Sequence, residues 1–115
     1  MRLPHIALGL AAVVFTASLV ACGSDSTPKV GPGHVLVANF AFSPDTVVAH
    51  PGDTVTWVFD QPGVPHNVYS TAGPSHFESQ GYQSAGTFRF TFTQAGTYTY
   101  VCQIHPNMVG TVVVK

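Results

Sequence analysis

Thr87-Phe88-Arg89-Phe90-Thr91-Phe92, the turn Gln94-Ala95-Gly96, then Thr97-Tyr98-Thr99-Tyr100-Val101-Cys102: these two alternating runs decide the fold. Side chains alternate across a β-strand with period two, so the three Phe share one face, as do Tyr98, Tyr100 and Cys102. β-Branched and aromatic residues of this kind suit a half-buried pleated surface. Upstream, Thr54-Val55-Thr56-Trp57-Val58-Phe59 repeats the pattern, with Val55, Trp57 and Phe59 inward, behind the turn Pro51-Gly52-Asp53. Val35 to Phe42 reads as one strand closed by Ser43-Pro44-Asp45, and Thr46–Ala49 as a short one. Asn67 to Ser70 is short and extended, and Gly110 to Val114 reads as the last strand. No stretch of ten or more residues beyond the N-terminal segment has helical periodicity. About seven short strands between Gly/Pro turns predict an all-β, two-sheet Greek-key β-sandwich. Trp57, Phe88, Phe90, Phe92, Tyr98 and Tyr100 are its expected core, and Thr71 to Ser84 is a weakly patterned connection without an assigned path.

The 115 residues leave room for one domain, expected over residues 34–115. Only 8% are charged, against about 25% in an average soluble domain. No basic stretch is present, which excludes a nucleic-acid partner.

The N-terminus reads as an address. Arg2 precedes an apolar run from Ile6 to Val20, about 15 residues and short of the ~20 that span a bilayer. The run ends in Leu19-Val20-Ala21-Cys22, which resembles the lipobox of bacterial lipoproteins. That resemblance implies a signal peptide over 1–21, lipidation of Cys22, and a polar tether over residues 22–33. The expected location is extracytoplasmic, anchored to a bacterial membrane. Cleavage would leave three basic side chains against five acidic ones, a net charge of −2.

With Cys22 acylated, Cys102 is the one thiol left, and it has no cysteine to pair with. Its neighbours give it another use. Cys102-Gln103-Ile104-His105-Pro106-Asn107-Met108 places a thiolate, an imidazole and a thioether within seven residues, between two predicted strands. His66, in the loop after Asp60-Gln61-Pro62-Gly63-Val64-Pro65, is the candidate fourth ligand. Two His, one Cys and a weakly held Met are the donor set of a trigonal copper site. Zinc is disfavoured because a thioether binds it poorly. His34, His50 and His76 have no matching partners and read as solvated loop histidines.

The chain resembles the cupredoxins, the type 1 blue copper proteins. The resemblance runs from Phe42-Ser43-Pro44 through Pro51-Gly52-Asp53-Thr54-Val55-Thr56-Trp57 to His66. It resumes at Gly96-Thr97-Tyr98-Thr99-Tyr100-Val101-Cys102 and continues through His105 to Met108-Val109-Gly110-Thr111-Val112. The spacing Cys-x-x-His-x-x-Met is similar to that of amicyanins, whereas plastocyanins usually have a longer His-to-Met loop. The resemblance implies one copper ion on His66, Cys102, His105 and Met108, with Asn67 tying the two ligand loops together. It implies one-electron transfer to redox partner proteins at the membrane, with the edge of His105 as the electron port. Gly63, Val64, Pro65, Pro106 and Val109 are the expected docking patch, and a monomer is expected. A copper carrier or buffer would use the same ligands. An enzyme is not expected: Val101 and Gln103 flank Cys102, where multicopper oxidases place histidines that couple to a second centre.

Overall fold

Val35 and Val37 are fully buried while Leu36 and Ala38 are only half covered, so the first strand alternates in space as in sequence. The computed structural model describes residues 33–115 and places eight strands among them. They are β1 (His34–Ala38), β2 (Ala41–Ser43), β3 (Thr46–Ala49), β4 (Asp53–Asp60), β5 (Tyr69–Ala72), β6 (Ala85–Phe92), β7 (Gly96–Val101) and β8 (Val109–Val114). Two four-stranded sheets result, ordered β2-β1-β4-β6 and β3-β8-β7-β5, and the described residues contain no helix. The expected all-β, two-sheet architecture is the one observed. β1 runs parallel to β4 and β3 parallel to β8; every other strand pair is antiparallel.

The inner faces close on Trp57, which is fully buried and ringed by Phe77, Phe88, Phe92 and Tyr100 at centroid distances of 5.6, 5.4, 6.4 and 5.4 Å. Phe92, Tyr98 and Tyr100 are buried as expected, but Phe88 and Phe90 are only partly so. β6 is the rim of its sheet, where the facing layer no longer covers them. At the β6–β7 turn the Tyr98 hydroxyl donates to the Gln94 carbonyl at 2.7 Å, which fixes the corner.

Two expectations are corrected, and a segment left without a path acquires one. The single strand over Val35–Phe42 is a hairpin: β1 and β2 pair antiparallel with Ala38 opposite Ala41. Asn39 and Phe40 form the two-residue turn with φ of 53° and 58°, the left-handed backbone that such hairpins demand. His34 is no loop residue; it opens β1 opposite Thr56 and is half-buried. The segment after β5, without a pattern in sequence, is tightly held. Phe77 is 2% exposed and stacks on Trp57 and Phe90, while Ser79 N–H donates to the Val68 carbonyl and Val68 N–H donates to Ser79 Oγ.

Tyr100 carries a buried hydroxyl with no hydrogen-bond partner, and burial pushes its pKa up to about 12. An unfolded tyrosine titrates near 10, so between about pH 10 and 12 the unfolded chain holds fewer protons than the folded one. Stability therefore falls as pH rises through that window, by up to about 2–3 kcal/mol. Tyr100→Phe should remove this component, and the polar neighbour it leaves behind is the Trp57 N–H, which has no hydrogen-bond partner either. Urea unfolding of both proteins at pH 9 and 11 checks it: the wild-type loss should exceed that of the variant.

Candidate metal centre

Two loops at one end of the sandwich meet here. The first follows β4 and delivers His66, which is fully buried and held by reciprocal backbone hydrogen bonds with Gln83. The second links β7 to β8. Its backbone is closed by three bonds: Cys102 N–H to the Met108 carbonyl at 3.0 Å, Met108 N–H to the His105 carbonyl at 2.9 Å, and His105 N–H to the Cys102 carbonyl at 3.4 Å. Cys102 and Met108 are each 1% exposed, whereas His105 is only half-buried.

Side-chain geometry brings three donor atoms together. His66 Nδ1 lies 3.0 Å from His105 Nδ1, and Cys102 Sγ lies 3.9 Å from the former and 3.4 Å from the latter. A triangle with those sides has a circumscribed radius of about 2.0 Å, the length of a metal–nitrogen bond and a little under a metal–sulfur bond. The donor chemistry agrees, because thiolate with two imidazoles suits copper. Among the described residues, these three form a cluster able to hold a metal ion. Burial, with His105 next in weight, holds the His66 imidazole below the usual histidine range and so keeps it neutral. A neutral ring is the form that binds metal.

Asn67 joins the loops: its Nδ2 donates to Gln103 Oε1 and its Oδ1 accepts the Gln103 N–H, both at 2.8 Å. Two residues escaped the sequence reading. The Phe40 ring packs edge-on against His66 and His105, at centroid distances of 5.7 and 4.9 Å. Gln61 Oε1 sits 2.7 Å from His66 Nε2 and 3.3 Å from the Phe40 N–H. Neither had a visible signal, since a Phe inside an apparent strand and a Gln in a Pro-rich loop are both ordinary. Around the site, Gly63, Pro65, Pro106 and Val109 are exposed and Val64 is half-buried; Ile104 is exposed beside them. His50 and His76 lie elsewhere and are exposed, each near a carboxylate, Asp53 at 3.5 Å and Glu78 at 3.6 Å. Cys22 lies outside the described residues.

The family model of copper binding proteins, plastocyanin/azurin family, matches residues 33–115, the whole described part of the chain. The chain belongs to that family. It is 34% identical to amicyanin-alpha of Methylorubrum extorquens over the full length of both, and 35% identical to amicyanin of Paracoccus denitrificans over 76% of this chain and 70% of that one. A solved structure of reduced amicyanin carrying a proline-to-phenylalanine substitution superposes with a TM-score of 0.62. It is 36% identical and covers 76% of this chain and 87% of the other. As a member of this copper-binding family with a His–Cys–His cluster in place, the protein is a one-electron carrier using a single type 1 copper ion.

Proposed function

We propose that His66 and His105 through Nδ1, Cys102 through Sγ, and Met108 through its thioether hold the copper, with His105 as the port through which the electron passes. One observation carries the reading: three soft or borderline donors from two loops stand at the corners of a triangle sized for one metal ion. Copper bound there supplies a couple between Cu(I) and Cu(II). The chain contributes rigidity: the Asn67–Gln103 pair and the closed Cys102–Met108 backbone hold the donors fixed, so little rearranges when charge changes. Buried His66 and Cys102 exclude water on one side, and half-buried His105 leaves an imidazole edge for contact.

Val64, Pro65 and Pro106, with Gly63 and Val109, form the surface on which a redox partner docks. A small patch of low charge suits encounters that must release quickly. The working location is outside the cytoplasm of a bacterial cell. Residues 1–21 are the signal, Cys22 bears the lipid, and residues 22–33 tether the domain of residues 34–115 to the membrane, on the strength of the Leu19-Val20-Ala21-Cys22 motif.

Cu(II) added to the purified soluble domain should give an intense blue colour with narrow copper hyperfine splitting. Voltammetry should then show a reversible one-electron wave with slow metal loss. Rapid handover of the metal to an acceptor, with sluggish electron exchange, would instead make the protein a copper carrier. Met108→Leu should keep the copper and raise the reduction potential, because a donor that favours Cu(II) is lost. A rise of about 59 mV corresponds to a tenfold change in the one-electron equilibrium. An unchanged potential removes Met108 from the ligand set.

A further inference from the structure

Gln61 occupies a position that neither copper binding nor the fold requires of it. It sits in the Pro-rich loop five residues before His66, yet one side-chain oxygen faces two separate groups: the Nε2 of His66 at 2.7 Å and the backbone N–H of Phe40 at 3.3 Å. A backbone N–H can only donate, so the atom facing it must be the carbonyl oxygen of the amide and not its NH₂. An amide oxygen can only accept, so Nε2 of His66 carries the ring proton. The consequence falls on the other nitrogen. Nδ1 is left with its lone pair free, and Nδ1 is the atom that faces Cys102 and His105.

We propose that Gln61 is a positioning residue of the copper centre: it fixes the tautomer and ring orientation of His66 and, by the same oxygen, latches the Phe40 turn against the ligand pair. The proposal rests on His66 being a copper ligand. The turn is an unusual one. A bulky side chain with φ of 58° is an outlier that surrounding contacts must hold in place. Two contacts do so: the Gln61 bond to its N–H, and ring packing against both imidazoles. Phe40 is nevertheless 54% exposed, so the turn is pinned at its inner edge and bare on its outer one. A hydrogen-bond partner on the far nitrogen of a ligating histidine also tunes its basicity. Gln61 thus acts on the metal through His66, and on the cover of the site through Phe40.

The test compares Gln61→Leu and Gln61→Glu in the copper-loaded protein. Leu removes the acceptor, making His66 a weaker donor, so the reduction potential should rise. Glu replaces a neutral acceptor by an anionic one, strengthening His66 and favouring Cu(II), so the potential should fall. Shifts of opposite sign support the assignment; shifts of one sign, or none, overturn it, because a merely structural role has no reason to distinguish the two. The ¹H–¹⁵N signal of His66 Nε2–H in the Cu(I) protein gives a second readout. It should be observed in the wild type and in Phe40→Ala, which keeps the backbone donor, and lost to solvent exchange in Gln61→Leu. Its loss in Phe40→Ala, or its persistence in Gln61→Leu, would show that ring packing and not Gln61 holds that proton. If wild-type protein gives no blue copper form, the ligand assignment itself has failed. If it turns blue while the Gln61 variants behave alike, only the latch has.

Discussion

Cys102→Ser yields a folded domain that no longer turns blue with Cu(II) and exchanges electrons at no measurable rate. The substitution nearly preserves shape, and the serine hydroxyl can still meet His105 Nδ1, to which Sγ now lies at 3.4 Å. What it removes is the thiolate. A serine hydroxyl does not ionise near neutral pH, so the site becomes two imidazoles and a thioether with no anion among them. Loss of an outer partner alone costs about 10–100-fold in metal affinity, so loss of the one anionic ligand should exceed about 100-fold. Competition with a chelator, followed by visible absorption and electron paramagnetic resonance, reads affinity and colour separately. Retention of the blue colour in the serine variant would exclude Cys102 as a ligand.

The second large effect lies next to the metal loop, in the packing that supports it. Gly110 should not tolerate even alanine. A Cβ built there would stand 2.2 Å from Tyr100 Cζ and 2.6 Å from Cε2, in the ring of a fully buried side chain with nowhere to go. Tyr100 is paired opposite Gly110 across β7 and β8, and its ring lies over the glycine and against Phe42 and Trp57. Overpacking of this kind costs about 1–3 kcal/mol when the core can shift, and more when it cannot. About 3 kcal/mol is expected for Gly110→Ala, which lowers the melting temperature of a domain this size by more than ~10 °C. Urea unfolding checks it. In a Tyr100→Leu background the alanine should cost far less, and that coupling identifies the ring as the cause. Equal costs in both backgrounds would place the strain elsewhere.

Strands declared themselves in sequence wherever apolar residues alternate with polar or β-branched ones. Thr54–Phe59, Thr87–Phe92 and Thr97–Cys102 did so, and they became β4, β6 and β7. The hairpin at Asn39–Phe40 was hidden for the opposite reason. The stretch is apolar on both sides of the bend and no Gly or Pro marks it, so the switch of buried positions from Val35 and Val37 to Phe42 shows only in the structure. Phe77 escaped because a single aromatic in a polar stretch has no period; its burial is decided by Trp57 and Phe90, which arrive from other strands. The cluster itself was legible because Cys102 and His105 lie on one short loop, so proximity in sequence stood for proximity in space. Gln61 was not legible. Its partners are a histidine five residues on and an amide from a different hairpin, and only the tertiary structure brings them to one oxygen atom.

The order of strands has a bearing on when the centre can come into being. β8 is inserted between β3 and β7, and β1 lies between β2 and β4, so strands from both ends of the domain occupy sheet interiors. The loop bearing Cys102 and His105 feeds β8 directly, and His66 is joined to it by the Asn67–Gln103 pair and by Phe40, whose ring touches both imidazoles. A chain emerging residue by residue therefore has no assembled trap for the ion until its last strand has docked. Metal loading is a late event in the life of the molecule, and a chain cut short before Val109 would offer copper only scattered ligands.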